Sequence, residues 1–122
     1  MDSIEYDICC PVDDNLKEKW LSKLKKEKNI LLETINEQES ALKIISNPLR
    51  LSIIQFLSYR PHCVCEIVQK LDIPHSNASY HISQLIFTDI LENVNNNGRV
   101  YYSLTKYGKD LITWLEKIPK NK

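Results

Sequence analysis

Two cysteines one residue apart, Cys63 and Cys65, open a stretch patterned as a helix, and Pro61 just ahead of them sets where that helix begins. In Pro61-His62-Cys63-Val64-Cys65-Glu66-Ile67-Val68-Gln69-Lys70-Leu71 the apolar Ile67, Val68 and Leu71 read as core, leaving Glu66, Gln69 and Lys70 outside. Residues two apart on a regular helix lie about 200° apart, so both thiols reach one metal ion only from a loose first turn. The unpaired N–H groups and the dipole of such a turn favour the thiolate. The alternative is that both are small buried hydrophobes.

The next segment constrains the fold further. Asp72-Ile73-Pro74-His75 reads as a turn, and Ser76 or Asn77 is placed to cap a helix from Ala78 to Phe87, with Ile82, Leu85 and Ile86 inward. Two short helices about a tight turn make a helix-turn-helix. The second presents Ser76, Asn77, Ala78, Tyr80, His81 and Gln84 as candidates to meet base edges or phosphates in a major groove. For His81 a helix–helix hydrogen bond is the competing role. Asp89 to Val94 and Arg99 to Leu104 read as strands about Asn97-Gly98, a strong hairpin signal. A hairpin in that place is a wing, and Arg99 near its tip is a candidate for phosphate or minor-groove contact.

The flanks are helical. Asp13 or Asp14 is placed to cap a helix starting near Asn15, on which Leu16, Trp20, Leu24, Leu31, Ile35, Leu42 and Ile45 share one face; a break near Asn36 is left open. Its lysine cluster reads first as a solvated face and second as a phosphate-contacting patch. Ser46-Asn47-Pro48 is a boundary, and the helix after it buries Leu49, Ile53, Phe56 and Leu57. Thr105 caps a last helix, Lys106 to Lys117, whose apolar residues fill more than one face. Both flanking helices carry more apolar surface than so small a core can cover, which predicts a homodimer.

The chain therefore divides into a thiol-bearing arm (1–14, with Cys9 and Cys10), a dimerisation helix region (15–40), a winged core (41–105) and a C-terminal dimerisation helix and tail (106–122). The fold class is mainly α with a small β-hairpin, a dimeric winged helix-turn-helix. Only two glycines in 122 residues agree with that. No apolar run nears the ~18–20 residues of a spanning helix, and the acidic N-terminus is unlike a signal peptide, so no membrane role and a cytoplasmic location are expected. There the four cysteines suit metal or redox chemistry better than structural disulfides. Zero net charge counts against indiscriminate nucleic-acid binding but leaves room for a specific dimeric reader. No nucleophile–base pair, phosphate loop or open metal triad is visible, so neither an enzyme nor a small organic substrate is expected.

From about Ala41 to Leu104 the chain resembles the arsenical-repressor (ArsR/SmtB) family of winged-helix metalloregulators. The matching pieces are Leu42 to Leu51, Cys63-Val64-Cys65-Glu66-Ile67, Ser76 to Ile82, and Gly98 to Leu104. The resemblance implies a homodimeric repressor that leaves double-stranded operator DNA when metal binds, with Cys-Val-Cys as the soft-metal signature. The arm is similar to that of the cadmium/lead-sensing branch, in which arm thiols complete a site with the pair on the other subunit. It implies Cys63, Cys65, Cys9 and Cys10 as ligands and a thiophilic ion (cadmium, lead, zinc or arsenite) as effector. The chain departs from the pattern in five places. Val68 stands where the arsenic-sensing branch has a third Cys. The arm thiols are adjacent. Lys106 to Lys117 contains no His. Ile86 replaces the common Arg. Asp89 replaces the usual Gly, in a residue type that tolerates the left-handed conformation. The alternatives are a thiol-disulfide redox regulator and, from a different class, a metal-carrying thiol protein without DNA binding.

Overall fold

A computed structural model of the chain describes residues 9–120. Residues 1–8 of the expected arm and 121–122 of the expected tail lie outside that range. The order of elements is α1 (Asp14–Ile45), α2 (Pro48–Leu57), α3 (Val64–Leu71), α4 (His75–Phe87), β1 (Leu91–Asn96), β2 (Arg99–Leu104) and α5 (Lys106–Glu116). The chain divides into two compact units after Glu39.

The first unit holds Cys9, Cys10 and most of α1. Asp13 starts the helix, its carboxylate accepting from the N–H groups of Asn15 and Leu16 at 3.0 and 3.1 Å. α1 runs through Asn36 without a break, and no residue of the helix is buried.

The second unit carries the core. Asn47 caps α2, accepting from the N–H groups of Leu49 and Arg50, and Pro48 fills the first helical position, where its missing N–H costs nothing. Ile53, Ile54 and Leu57 of α2 close on Ile67 of α3, Ala78, Ile82 and Leu85 of α4, Ile90 and Leu91 around the start of β1, Leu104 of β2 and Ile112 of α5. The inward face of α2 differs from the sequence expectation. Leu49 and Phe56 are half-buried, and the buried positions include Arg50. An arginine is tolerated there because its guanidinium finds partners inside, described below.

β1 and β2 form one antiparallel ribbon, Leu91 opposite Leu104 and Asn96 opposite Arg99. Its turn places Asn97 and Gly98 at φ 54° and 77°, the left-handed pair that a two-residue hairpin of this twist requires. Asp89 also takes the left-handed conformation, at φ 61°. His62 adds one more pairing, exchanging backbone hydrogen bonds with Tyr102 at 3.0 and 2.8 Å. Thr105 caps α5, accepting from the N–H of Gly108, while its hydroxyl donates to the Asp89 carbonyl. Gly108 is buried, and a Cβ there would collide with the Ile90 carbonyl, so only glycine lets α5 start this close to the ribbon.

Candidate nucleic-acid interface and thiol site

α3 and α4 meet across Asp72-Ile73-Pro74. Asp72 ends α3 in the left-handed conformation, φ 51°, and Pro74 stands at the N-cap of α4. This corrects the expected start of the second helix. α4 begins at His75, so Ser76 and Asn77 lie exposed in its first turn rather than capping it. A second correction concerns Ala78. It has no exposed surface and belongs to the core, because α4 presents that side to α2 and α3. Of the other candidates, Tyr80 is exposed, Gln84 is half-buried, and Arg99 is exposed at the start of β2 beside the turn.

His81 is half-buried and committed. Its Nδ1 accepts from Arg50 Nε at 3.0 Å, which ties α2 to α4. Burial, and after it the Arg50 charge, lowers the His81 pKa below the ordinary imidazole value. Arg50 also donates to the Ile44 carbonyl at 3.1 Å and lies 5.8 Å from the centre of the Tyr80 ring. One buried guanidinium therefore fixes the end of α1, the start of α2 and two residues of α4. Sequence reasoning missed it. The available signal was its position three and seven residues before Ile53 and Leu57, on the buried side of α2.

Cys63 is the N-cap of α3, half-buried, and Cys65 is exposed in the first turn, so both thiols lie at the helix start. Glu66 organises this turn. Its Oε1 accepts from Cys63 N at 3.4 Å and lies 3.6 Å from Cys63 Sγ. Arg60 grips the same carboxylate with both terminal nitrogens, at 3.3 and 2.6 Å. The Arg60 hydrogen bonds, helped by the Cys63 N–H, hold the Glu66 carboxyl down at about 2. Glu66 was read from sequence as an outward residue; a Glu three positions after an N-cap is the missed signal. Cys65 and Glu66 open on a groove of about 520 Å³ that Phe56, Arg60, Gln69 and Lys70 also line.

His62, one residue before the thiols, is almost fully buried. Its ring lies 4.1 Å from that of Phe56, and its Nδ1 is 2.7 Å from the Arg60 carbonyl, to which it must donate because a carbonyl only accepts.

Cys9 and Cys10 belong to the other unit and are exposed. An extended backbone would send their side chains to opposite sides. Cys10 instead adopts φ 51°, and the two Sγ atoms stand 3.5 Å apart. The hydrogen bond with Cys9, and then its charge, raises the Cys10 pKa.

Residues 47–92, which span α2 to the first residues of β1, match bacterial regulatory proteins of the arsR family. The chain is 26% identical over 76 residues to the arsenical resistance operon repressor of Staphylococcus xylosus, covering 62% of this chain and 73% of the relative. Its fold is similar to that of the transcriptional repressor BigR from Xylella fastidiosa, with a TM-score of 0.61 and 24% identity over 78% of this chain and 99% of that one. It is likewise similar to the reduced form of the transcriptional regulator YodB from B. subtilis, with a TM-score of 0.62 and 22% identity over 67% of this chain and 84% of that one. No helix among the described residues is long and apolar enough to cross a membrane. The helix-turn-helix and the wing that follows it are thus similar to bacterial regulatory proteins of the arsR family over residues 47–92, to an arsenical resistance repressor and, in fold, to a solved repressor.

Proposed function

We propose that the chain is a homodimeric repressor that leaves its operator when a thiophilic metal(loid) ion is held by cysteine thiolates. The observation that carries this reading is the placement of Cys63 and Cys65 in the first turn of α3, the helix that leads directly into α4. The arm pair supports it, since a 3.5 Å separation brings two sulfurs within reach of one ion. Cys63 and Cys65 with one arm thiol give three thiolates, suited to arsenite or lead; with both they give four, suited to cadmium or zinc. The arsenical repressor relative favours a metalloid effector.

In this reading Ser76, Asn77, Tyr80 and Gln84 face operator DNA, Arg99 meets its backbone from the wing, and His81 acts through its bond to Arg50. The arm (1–14) supplies thiols, while residues 15–40 and α5 join two protomers. Tying the arm to the first turn of α3 favours a dimer arrangement with lower DNA affinity, through a reciprocal coupling of about 1–3 kcal/mol. The setting is the cytoplasm, where the operator is and thiols stay reduced.

The close arm thiols also suit a second reading. Mild oxidant joins two cysteines in a disulfide, with loss of two protons and two electrons to a peroxide, and a dithiol reverses it. Titrating the reduced protein with cadmium, lead, zinc and arsenite, while following thiolate-to-metal absorption and the anisotropy of a labelled upstream fragment, separates the two. Metal-driven release that Cys63→Ser abolishes, with operator binding kept, upholds the metal reading. DNA binding indifferent to every metal but released by oxidant overturns it.

A further inference from the structure

The exposed face of α1 carries more information than its apolarity. Written as a heptad, its stripe has Leu21, Lys28, Ile35 and Leu42 at one seam position and Leu24, Leu31 and Gln38 at the other. Leu24, Leu31, Ile35 and Leu42 are each roughly half exposed, a row of apolar surface that water penalises and nothing in the helix covers. Between Leu21 and Leu42 two seam positions are polar, and they lie equally far from Glu33, Lys28 five residues before it and Gln38 five after.

The charges of α1 are asymmetric in the same sense. Asp14 to Lys28 carries six lysines against three carboxylates, and Asn29 to Ile45 carries three carboxylates against one lysine. A parallel pair of such helices sets the basic half against the basic half and presses Lys28 onto Lys28 inside an apolar seam. An antiparallel pair centred on Glu33 does the reverse. Lys28 then meets Gln38 of the second copy, whose amide oxygen accepts from the ammonium. Leu31 meets Ile35, Leu24 meets Leu42, and Lys25 flanks Glu39, each twice by symmetry. Among antiparallel registers, this one alone sets apolar on apolar and Lys28 on Gln38.

We infer that α1 pairs with α1 of a second copy as an antiparallel coiled coil centred on Glu33, its register set by the Lys28–Gln38 contact. This rests on the dimer reading above and adds the direction and register of the pairing, which that reading leaves open.

The test uses the full-length chain with its four native cysteines changed to Ser. Into it go Lys28→Cys, Gln38→Cys and both together, with light-scattering mass and intersubunit cross-linking under mild oxidation as readouts. In the antiparallel register the two copies of residue 28 stand ten residues, about 15 Å, apart along the axis, too far for a disulfide. Each single variant is therefore expected to stay uncross-linked as a dimer, and the double variant to cross-link. Cross-linking of either single variant means parallel pairing and overturns the inference. A dimer that no variant cross-links puts the interface elsewhere and also overturns it, with the dimer reading intact. A monomeric mass for the native chain overturns both. In the native-cysteine background, Lys25→Glu is expected to raise the dimer Kd roughly three- to tenfold and Lys25→Glu with Glu39→Lys to restore it. Glu39 keeps an interaction within its own chain, so Glu39→Lys alone is measured as the reference. Failure of the double swap to recover beyond both singles counts against the register.

Discussion

The two units of this chain hold their apolar residues in opposite ways. From Ser40 onwards, Ile53, Ile54, Ile67, Leu85 and Leu91 are sealed to within 2% exposure inside a core shared by four helices and a ribbon. Before Ser40, a helix rich in leucine and isoleucine buries none of them. Propensity alone seldom sustains a helix in water; most of the stability comes from an apolar face that packs. The second unit thus carries its stabilisation within its own core, whereas the first buries none of its apolar residues and, in the dimer proposed above, is completed by a second copy. Stability and assembly are consequently separable by mutation.

The sharpest test of that separation is a pair of truncations. Ile67→Ala, in the sealed core, is expected to cost about 2–5 kcal/mol in urea unfolding, by an amount independent of protein concentration. Leu31→Ala, on the open stripe, is expected to leave unfolding at high dilution unchanged and to weaken association. If Leu31→Ala lowers the stability of the dilute monomer as much as Ile67→Ala does, the division between the units is wrong.

Next comes Arg50, the one arginine or lysine that is buried among the described residues. Arg50→Ala leaves His81 Nδ1 and the Ile44 carbonyl without their donor, and a loss of about 1–3 kcal/mol is expected, together with weaker operator binding as α4 loosens. Normal stability and DNA affinity in this variant would show that the guanidinium positions nothing. Asn47→Ala removes two hydrogen bonds at the start of α2 and should cost about 1 kcal/mol, confined to the second unit, by the same unfolding measurement.

The smallest effect is set by pH. Glu66 titrates at about 2 when folded against 4.5 unperturbed, so its contribution is complete above about 4.5 and is lost as the pH falls through about 2. Acid unfolding of Glu66→Gln should lack that part of the slope. Both groups of the ion pair face solvent, so the difference is expected to be small; identical acid profiles would show that Arg60 does not grip Glu66 in solution.

What sequence made legible follows the range of the forces concerned. Asn97-Gly98, the Thr105 cap, the Asp13 start and the thiols in the first turn of α3 are local rules, satisfied within a few residues, and each is found where its rule puts it. Arg50 carries a local signal, its place on the buried side of α2, but its acceptor, His81, lies 31 residues on, and no local rule connects the two. Ala78 was assigned to the DNA-facing side because the helix start was set three residues late, when Pro74 already ends the turn. Gly108 was passed over because the Ile90 carbonyl it admits comes from another element. In the candidate site, the residue types were readable and their mutual commitments were not: Glu66 to Arg60, His81 to Arg50, His62 to Tyr102.

That last pairing has a consequence for the protein's behaviour in company. A two-stranded ribbon has an outer edge on each strand, and an open row of N–H and C=O groups invites a strand from another molecule. His62 occupies both backbone groups of Tyr102 on the outer edge of β2. The residue that leads into the thiol turn thereby also stoppers the wing, and a variant whose backbone lets go there would be prone to strand-to-strand aggregation while every core residue stayed in place.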